Sequence, residues 1–253
     1  MHDPATYGDA IADVYDDWYG DVSDVEGTVA TIVALADGGP VLELGIGTGR
    51  LALPLRAAGV EVNGVDASAA MVERLRTKPG GADLPVVVGD FSERLPTVEG
   101  GFAVVLVAFN TLLNLTAPGA VEGCLALVSS HLRPGGALVV EAFVPGEDPV
   151  ASGVDVRRVD TDEVVLSVFR RGEDGSTVVG SLVSFTEAGG VRLRPWAVRP
   201  IGPDALDGLA AAAGLVCERR DGGWRGEPFD DLADRHVTIY RRTAVPSMEV
   251  TES

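Results

Sequence analysis

The chain has 253 residues, is 46% apolar and carries a formal net charge of −18. At that length about three quarters of the unfolded surface can be buried, so no disulfide or metal staple is needed. An acidic surface unbroken by any basic block repels phosphate backbones and argues against a nucleic-acid partner, and no run of 18 apolar residues predicts a membrane span.

The opening, "MHDPATYGDAIADVYDDWYGD", lacks the basic start and apolar centre of a signal peptide, so a cytoplasmic protein is expected. Cys124 and Cys217 lie in apolar stretches and read as buried free thiols. Beyond residue 37, short apolar runs alternate with helix-like stretches. Residues 39–45 predict a buried strand, 48–59 a helix closed by Gly59, and 60–67 a second strand. Residues 68–80 predict a helix capped by Ser68 and stopped by Pro79-Gly80. Strands are expected over 85–91 and 102–110, a helix over 118–136, and a fifth strand over 137–143. These strands are apolar without alternation, as expected where helices cover both faces of a doubly wound, mainly parallel sheet. Segments 155–170, 176–187 and 190–199 alternate polar and apolar residues between Gly/Asp/Glu-rich turns, which predicts an inserted antiparallel meander. A helix over 202–214 and strands over 215–221 and 236–242 complete a seven-stranded α/β sheet. Residues 244–253 read as a loose tail.

The stretch "VLELGIGTGR" (41–50) places Glu43, Gly45, Gly47 and Gly49 directly after the first strand. Glycine backbone can turn tightly and lie against a ligand. A dinucleotide fingerprint, G-x-G-x-x-G, fails here because Arg50 holds its third position, and no Gly-Lys-Ser/Thr follows to make a P-loop. An oxidoreductase is disfavoured accordingly. Asp66 ends the second strand, where a carboxylate can accept hydrogen bonds from ribose hydroxyls.

With its acid-x-G-x-G-x-G run from Glu43 to Gly49, the sequence resembles the class I S-adenosylmethionine-dependent methyltransferases over residues 38–145 and the final helix and strands. The resemblance implies a Rossmann-like fold and S-adenosylmethionine as cofactor. It assigns Asp66 and Ala67 to the ribose end and Asp90 and Phe91, in "GDF", to the adenine. It also brings the backbone near Ala108 to Asn110 close to the cofactor's amino group. No Asn/Asp-Pro-Pro-Tyr/Phe signature occurs there, which counts against methylation of adenine or glutamine amides. The opening residues, "FNTLLNL", the meander and "GGWRGEPF" are similar to small-molecule methyltransferases of bacterial sugar and natural-product pathways, the amino-sugar N-methyltransferases being the nearest named group.

That narrower resemblance implies a single domain over 1–243: an N-terminal helical lid (1–37), a cofactor core (38–145), an insertion (about 153–200) and the final helix and strands (201–243). Tyr7, Tyr15, Trp18 and Tyr19 would belong to the lid. Glu141, ending the fifth strand, is the first candidate for base or substrate anchor. Trp196, Trp224 and Arg225 are candidates for the substrate wall, and meander arginines could meet an anionic acceptor such as a nucleotide-linked sugar. His131 and His236 read as structural, His2 is uninformative, and no cluster has metal-ligand spacing. The reaction expected is methyl transfer to nitrogen, or second to oxygen, of a small metabolite; a cyclase of the same fold and a non-catalytic cofactor-binding protein are the alternatives. A homodimer is compatible with this reading.

Overall fold

The computed structural model describes residues 3–20, 22–146 and 151–243; the expected tail, 244–253, and His2 lie outside them. Seven strands form the main sheet in the order β10-β11-β5-β4-β1-β2-β3. They are β1 (Val41–Leu44), β2 (Val62–Asp66), β3 (Val86–Val88), β4 (Phe102–Val107), β5 (Leu132–Phe143), β10 (Leu215–Asp221) and β11 (Arg235–Arg242). All neighbours pair in parallel except β11, which runs antiparallel to both β5 and β10. Every residue of β1 and β4 is buried, because helices cover both faces. On one side lie α3 (Val25–Ala36), α4 (Ala52–Ala57) and α5 (Ala69–Thr77), contributing Ile32, Leu55 and Leu75 to the core. On the other, α6 (Ala120–His131) and α7 (Pro203–Ala212) contribute Leu125, Val128 and Leu206. Chain order reverses between β1 and β4, and the crevice at the carboxyl ends of strands at such a switch point is where open α/β sheets hold ligands.

The insertion is a separate antiparallel sheet in the order β6-β7-β8-β9: β6 (Ser152–Val159), β7 (Glu163–Arg171), β8 (Val178–Thr186) and β9 (Val191–Val198). The segment expected as one strand, 155–170, is therefore two. Its turn, 160–162, has no glycine or proline; Asp160 N–H donates to the Glu163 carbonyl at 2.8 Å. Val159 and Val164 pair across that turn, and a register shift between Val156 and Arg158 precedes it. The helix expected over 118–136 also ends early, at His131. Pro134 cannot continue its ladder, and residues 132–136 instead enter β5 through a register shift against β4.

Two short helices, α1 (Thr6–Ile11) and α2 (Tyr15–Tyr19), pack between the insertion and α5. Gly8 lies so close to the start of α5 that a Cβ there would stand 2.5 Å from Ser68 Cβ. Among the described residues no helix is long and apolar enough to cross a membrane.

Candidate active site

The turn after β1 is built from backbone that other residues resist. Gly45, Gly47 and Gly49 have φ of +69°, +56° and +83°, which costs an L-residue about 1–2 kcal/mol each. Their surroundings differ. A Cβ on Gly45 would collide with Thr111 Cγ2, and one on Gly49 would press on Leu75, but beside Gly47 the nearest atom is the Gly45 carbonyl oxygen at 3.9 Å. Gly47 thus borders open space. Its N–H donates to Asp66 Oδ2 at 2.8 Å, while Asp66 Oδ1 accepts from Ser68 N–H at 2.8 Å. Burial raises the Asp66 pKa, and these two amides oppose the rise. Ser68 caps α5 by accepting from Met71 N–H, as its sequence position predicts.

A cavity opens over this turn. It is lined by Tyr7, Tyr15, Gly45, Gly47, Asp66, Ala67, Asp90 and Phe91 among the residues singled out from the sequence. It is also lined by Gly8, Met71, Ser92, Thr111, Asn114 and Ala197, which the sequence reading did not pick. Asn114 lies within the quoted "FNTLLNL", so its segment was noticed and its residue missed; Met71 carries no sequence signal beyond helix α5. Asp90 Oδ1 accepts from Ser92 N–H at 2.7 Å.

Several expected residues stand outside the cavity lining. Glu43, on β1, is buried with Oε2 unpartnered. Burial pushes its pKa up to about 8, with nearby Asp66 adding to the rise and Arg50 opposing it. Arg50, which broke the dinucleotide pattern, contacts Ser23 and lies over the Phe109 ring, 5.5 Å from its centroid. Glu141 does not face the cavity. Its Oε2 accepts from Phe109 N–H at 2.8 Å, its carbonyl accepts from Asn110 N–H at 3.0 Å, and Asn110 Oδ1 accepts from Phe143 N–H at 2.7 Å. Phe109 and Asn110 both have positive φ, +47° and +65°. Glu141 and Asn110 therefore hold a bent β4 terminus behind buried Ala108.

The four N-terminal aromatics divide in the same way. Tyr7 and Tyr15 reach the cavity; Tyr19 stacks on Tyr15 at 5.0 Å and meets Phe109 edge-on at 5.7 Å. Trp18 faces away, under the Arg194 guanidinium at 4.8 Å. Burial holds both the Tyr7 and Tyr15 phenols above their ordinary pKa. Ion pairs fasten this segment: Asp13 to Arg192 (2.5 Å) and Arg194 (3.3 Å), and Asp16 to Lys78 (2.8 Å).

The substrate-wall candidates are not brought together. Trp196 packs on Phe169 in the join between insertion and N-terminal helices. Trp224 is buried in the core beside α3, and Arg225 pairs with Asp24, the cap of that helix. No meander arginine lines the cavity; Arg158 binds Asp160, and Arg192 and Arg194 bind Asp13. His131 Nδ1 is 2.7 Å from the Leu127 carbonyl, at the end of α6, and His236 is wholly buried with Nδ1 2.8 Å from Thr238 Oγ1. Cys124 is buried and Cys217 half-buried, both as free thiols. Among the described residues no group of three or more His, Cys, Asp or Glu could hold a metal ion.

Comparison with known proteins agrees with this geometry. Residues 41–136 match the model of a methyltransferase domain. The CcbJ methyltransferase from Streptomyces caelestis superposes with a TM-score of 0.88 at 35% identity, over 96% of this chain and 100% of that one. The cypemycin N-terminal methyltransferase from a Streptomyces species is 29% identical over 96% of this chain and 100% of its own length. CalS10, an amino pentose methyltransferase of calicheamicin biosynthesis from Micromonospora echinaspora, solved with S-adenosylmethionine bound, shares the fold with a TM-score of 0.68 at 23% identity, over 91% and 97% of the two chains.

Proposed function

This chain belongs to the class I S-adenosylmethionine-dependent methyltransferases, and from that premise we propose that it methylates a nitrogen of a small natural-product metabolite, such as an amino sugar. The observation that carries the nitrogen assignment is the chemistry of the cavity wall. Among the described residues it holds no histidine, cysteine, lysine or arginine. Two of its carboxylates, Asp66 and Asp90, already accept backbone N–H groups, and its phenols are held protonated by burial. An alcohol needs its proton removed as the new bond forms, whereas an amine need only arrive neutral.

The residues fit the cofactor. Gly47 leaves open the space that a side chain would fill, and the Asp66 and Asp90 carboxylates keep further acceptor capacity for ribose hydroxyls and an adenine amino group. Phe91, 8% exposed, lines the cavity beside Asp90 and would be the apolar neighbour of the adenine. When bound, S-adenosylmethionine supplies a methyl group already activated on a sulfonium, so the protein need not polarise it. The work left to this chain is positioning and exclusion of water. Tyr7, Tyr15 and Gly8 form the wall over the glycine turn, while Glu141 and Asn110 fix the β4 terminus from behind. The relatives named above support this reading, one by its N-terminal and one by its amino pentose methyl transfer.

The test is incubation with S-adenosylmethionine and matched amine and hydroxyl acceptors, following S-adenosylhomocysteine release and locating the methyl by mass spectrometry. Methyl on nitrogen is expected. Turnover confined to hydroxyl acceptors contradicts the nitrogen assignment, and a rearranged product without methyl gain contradicts methyl transfer.

A further inference from the structure

Cationic side chains are scarce in this chain, which carries 38 acids against 20 basic residues. Nearly every arginine is accordingly bound to a carboxylate, a carbonyl or a hydroxyl. Among the described residues, only the side chains of Arg94, Arg157, Arg171 and Arg199 donate to none of these. Arg94 and Arg157 are exposed, whereas Arg171 and Arg199 are half-buried. Both of the latter line one groove of about 540 Å³ between the insertion and α7. The strand register brings them together. Arg171 stands opposite Val178, and Val178 opposite Val198, so these three share one face of the sheet, and Arg199 follows directly. Strands β7 and β9 lie two strand spacings apart, about 10 Å, a span that two arginine side chains can close over Val178. Ile201 and Leu209 add apolar surface to the same groove.

We infer that this groove is a second binding site, which takes a small organic anion, a carboxylate or phosphate on an apolar body, apart from the methyl donor. Arginine cannot shed its proton, so two guanidinium groups in one half-buried hollow repel each other until an anion lies between them. The guanidinium fork matches the paired oxygens of a carboxylate or phosphate, and the groove has the volume of an ordinary small-molecule site. Gly202 caps α7 without a side-chain hydrogen bond and lines the groove, so the positive end of that helix adds to the same field. Glu122 stands on the rim, exposed and, among the described residues, outside ion-pair distance of either arginine. The cofactor cavity is a separate space. Helix α6 gives Ala120 to the cavity and Glu122 to the groove, and the end of β9 gives Ala197 to the one and Arg199 to the other. The site therefore stands whichever acceptor the cavity methylates.

Titration calorimetry of the full chain, saturated with S-adenosylhomocysteine so that the cofactor cavity is filled, tests the proposal at low salt. The probes are phenyl phosphate, benzoate, benzyl alcohol and inorganic phosphate. Phenyl phosphate should bind one-to-one. Arg171→Gln and Arg199→Gln should each weaken it about tenfold or more, as loss of a charge-assisted hydrogen bond does. Glu122→Gln, which removes a carboxylate from the rim, should tighten it, and benzyl alcohol, a ring without charge, should not bind. Unchanged melting temperature and S-adenosylhomocysteine affinity establish that the variants fold; should an arginine variant fail to fold, the charged and neutral probes on the wild type still decide. Absence of saturable binding of both phenyl phosphate and benzoate up to about 10 mM overturns the proposal. So does an affinity that both arginine variants leave unchanged, or benzyl alcohol binding as tightly as phenyl phosphate. Inorganic phosphate binding as tightly as phenyl phosphate overturns the organic ligand and leaves a site for free phosphate.

Discussion

Glu141 Oε2 accepts a 2.8 Å hydrogen bond from the N–H of Phe109, a residue held at φ +47°. A carboxylate engaged this way positions the end of β4 and is poorly placed to remove a proton from an acceptor. Glu141→Gln keeps a carbonyl oxygen for the same N–H, so turnover should fall by less than about a hundredfold. Glu141→Ala leaves a buried amide unpaired and should lower unfolding stability by about 1–3 kcal/mol in denaturant titrations. A thousandfold loss of turnover in Glu141→Gln, with stability intact, would make Glu141 the general base and favour an oxygen acceptor.

The glycine turn predicts two different failures. Gly45→Ala meets Thr111 Cγ2 as well as an unfavourable φ, and its melting temperature should drop; Thr111→Ser, which removes that methyl, should recover part of the loss. Gly47→Ala meets only the φ penalty, about 1–2 kcal/mol, but puts a methyl beside the cavity. Its affinity for S-adenosylhomocysteine should fall more than its stability. Equal loss of both in Gly47→Ala would place that residue in the fold alone.

Two buried groups give stability opposite dependences on pH. Burial lowers the His236 pKa from 6.5 to about 4, so the unfolded chain binds a proton that the folded chain refuses, and stability is lost as pH falls through that window. Glu43 is raised from 4.5 to about 8, so the folded chain holds a proton that the unfolded chain releases. Stability then falls as pH rises toward 8, by up to about 1.4 kcal/mol per unit. Denaturant titrations at pH 6.5 and 8 should show this decline in the wild type and a smaller one in Glu43→Gln. Identical slopes in the two proteins would mean that Glu43 is ionised in the fold.

The N-terminal segment is fastened to the insertion through Asp13, which meets both Arg192 and the buried Arg194. Asp13→Asn removes the charge that Arg194 faces. Hydrogen exchange should quicken across residues 6–19 and cofactor affinity should weaken, with β1, β4 and β5 unchanged; S-adenosylhomocysteine should restore protection to the segment. Exchange that is the same with and without ligand would make the segment ordinary packing.

The strands of the main sheet and several of the cavity-lining residues were legible because their signals are local. Buried parallel strands read as apolar runs, and Gly45, Gly47, Asp66, Asp90 and Phe91, which follow or end three of them, line the cavity. The acceptor side was not legible. Trp196, Trp224 and Arg225 look like pocket residues in sequence, yet each satisfies a packing or charge partner that is distant in the chain, Phe169, α3 and Asp24 respectively. The turn at 160–162 was hidden because it contains no glycine or proline to mark it. The alternation of the insertion strands was also read without its direction: a period of two says that side chains take opposite faces, and only tertiary placement says which face points outward.

The central claim is that the cavity between the glycine turn, Asp66 and Asp90 holds the methyl donor. Titration calorimetry with S-adenosylhomocysteine tests it most directly. Wild-type protein should bind, and Asp66→Ala, which deletes a carboxylate joined to Gly47 N–H at 2.8 Å, should bind more weakly by about 1–3 kcal/mol, or roughly five- to 150-fold. Undiminished affinity in folded Asp66→Ala would contradict the placement, and a wild-type protein that binds NADH but not S-adenosylhomocysteine would contradict the account as a whole.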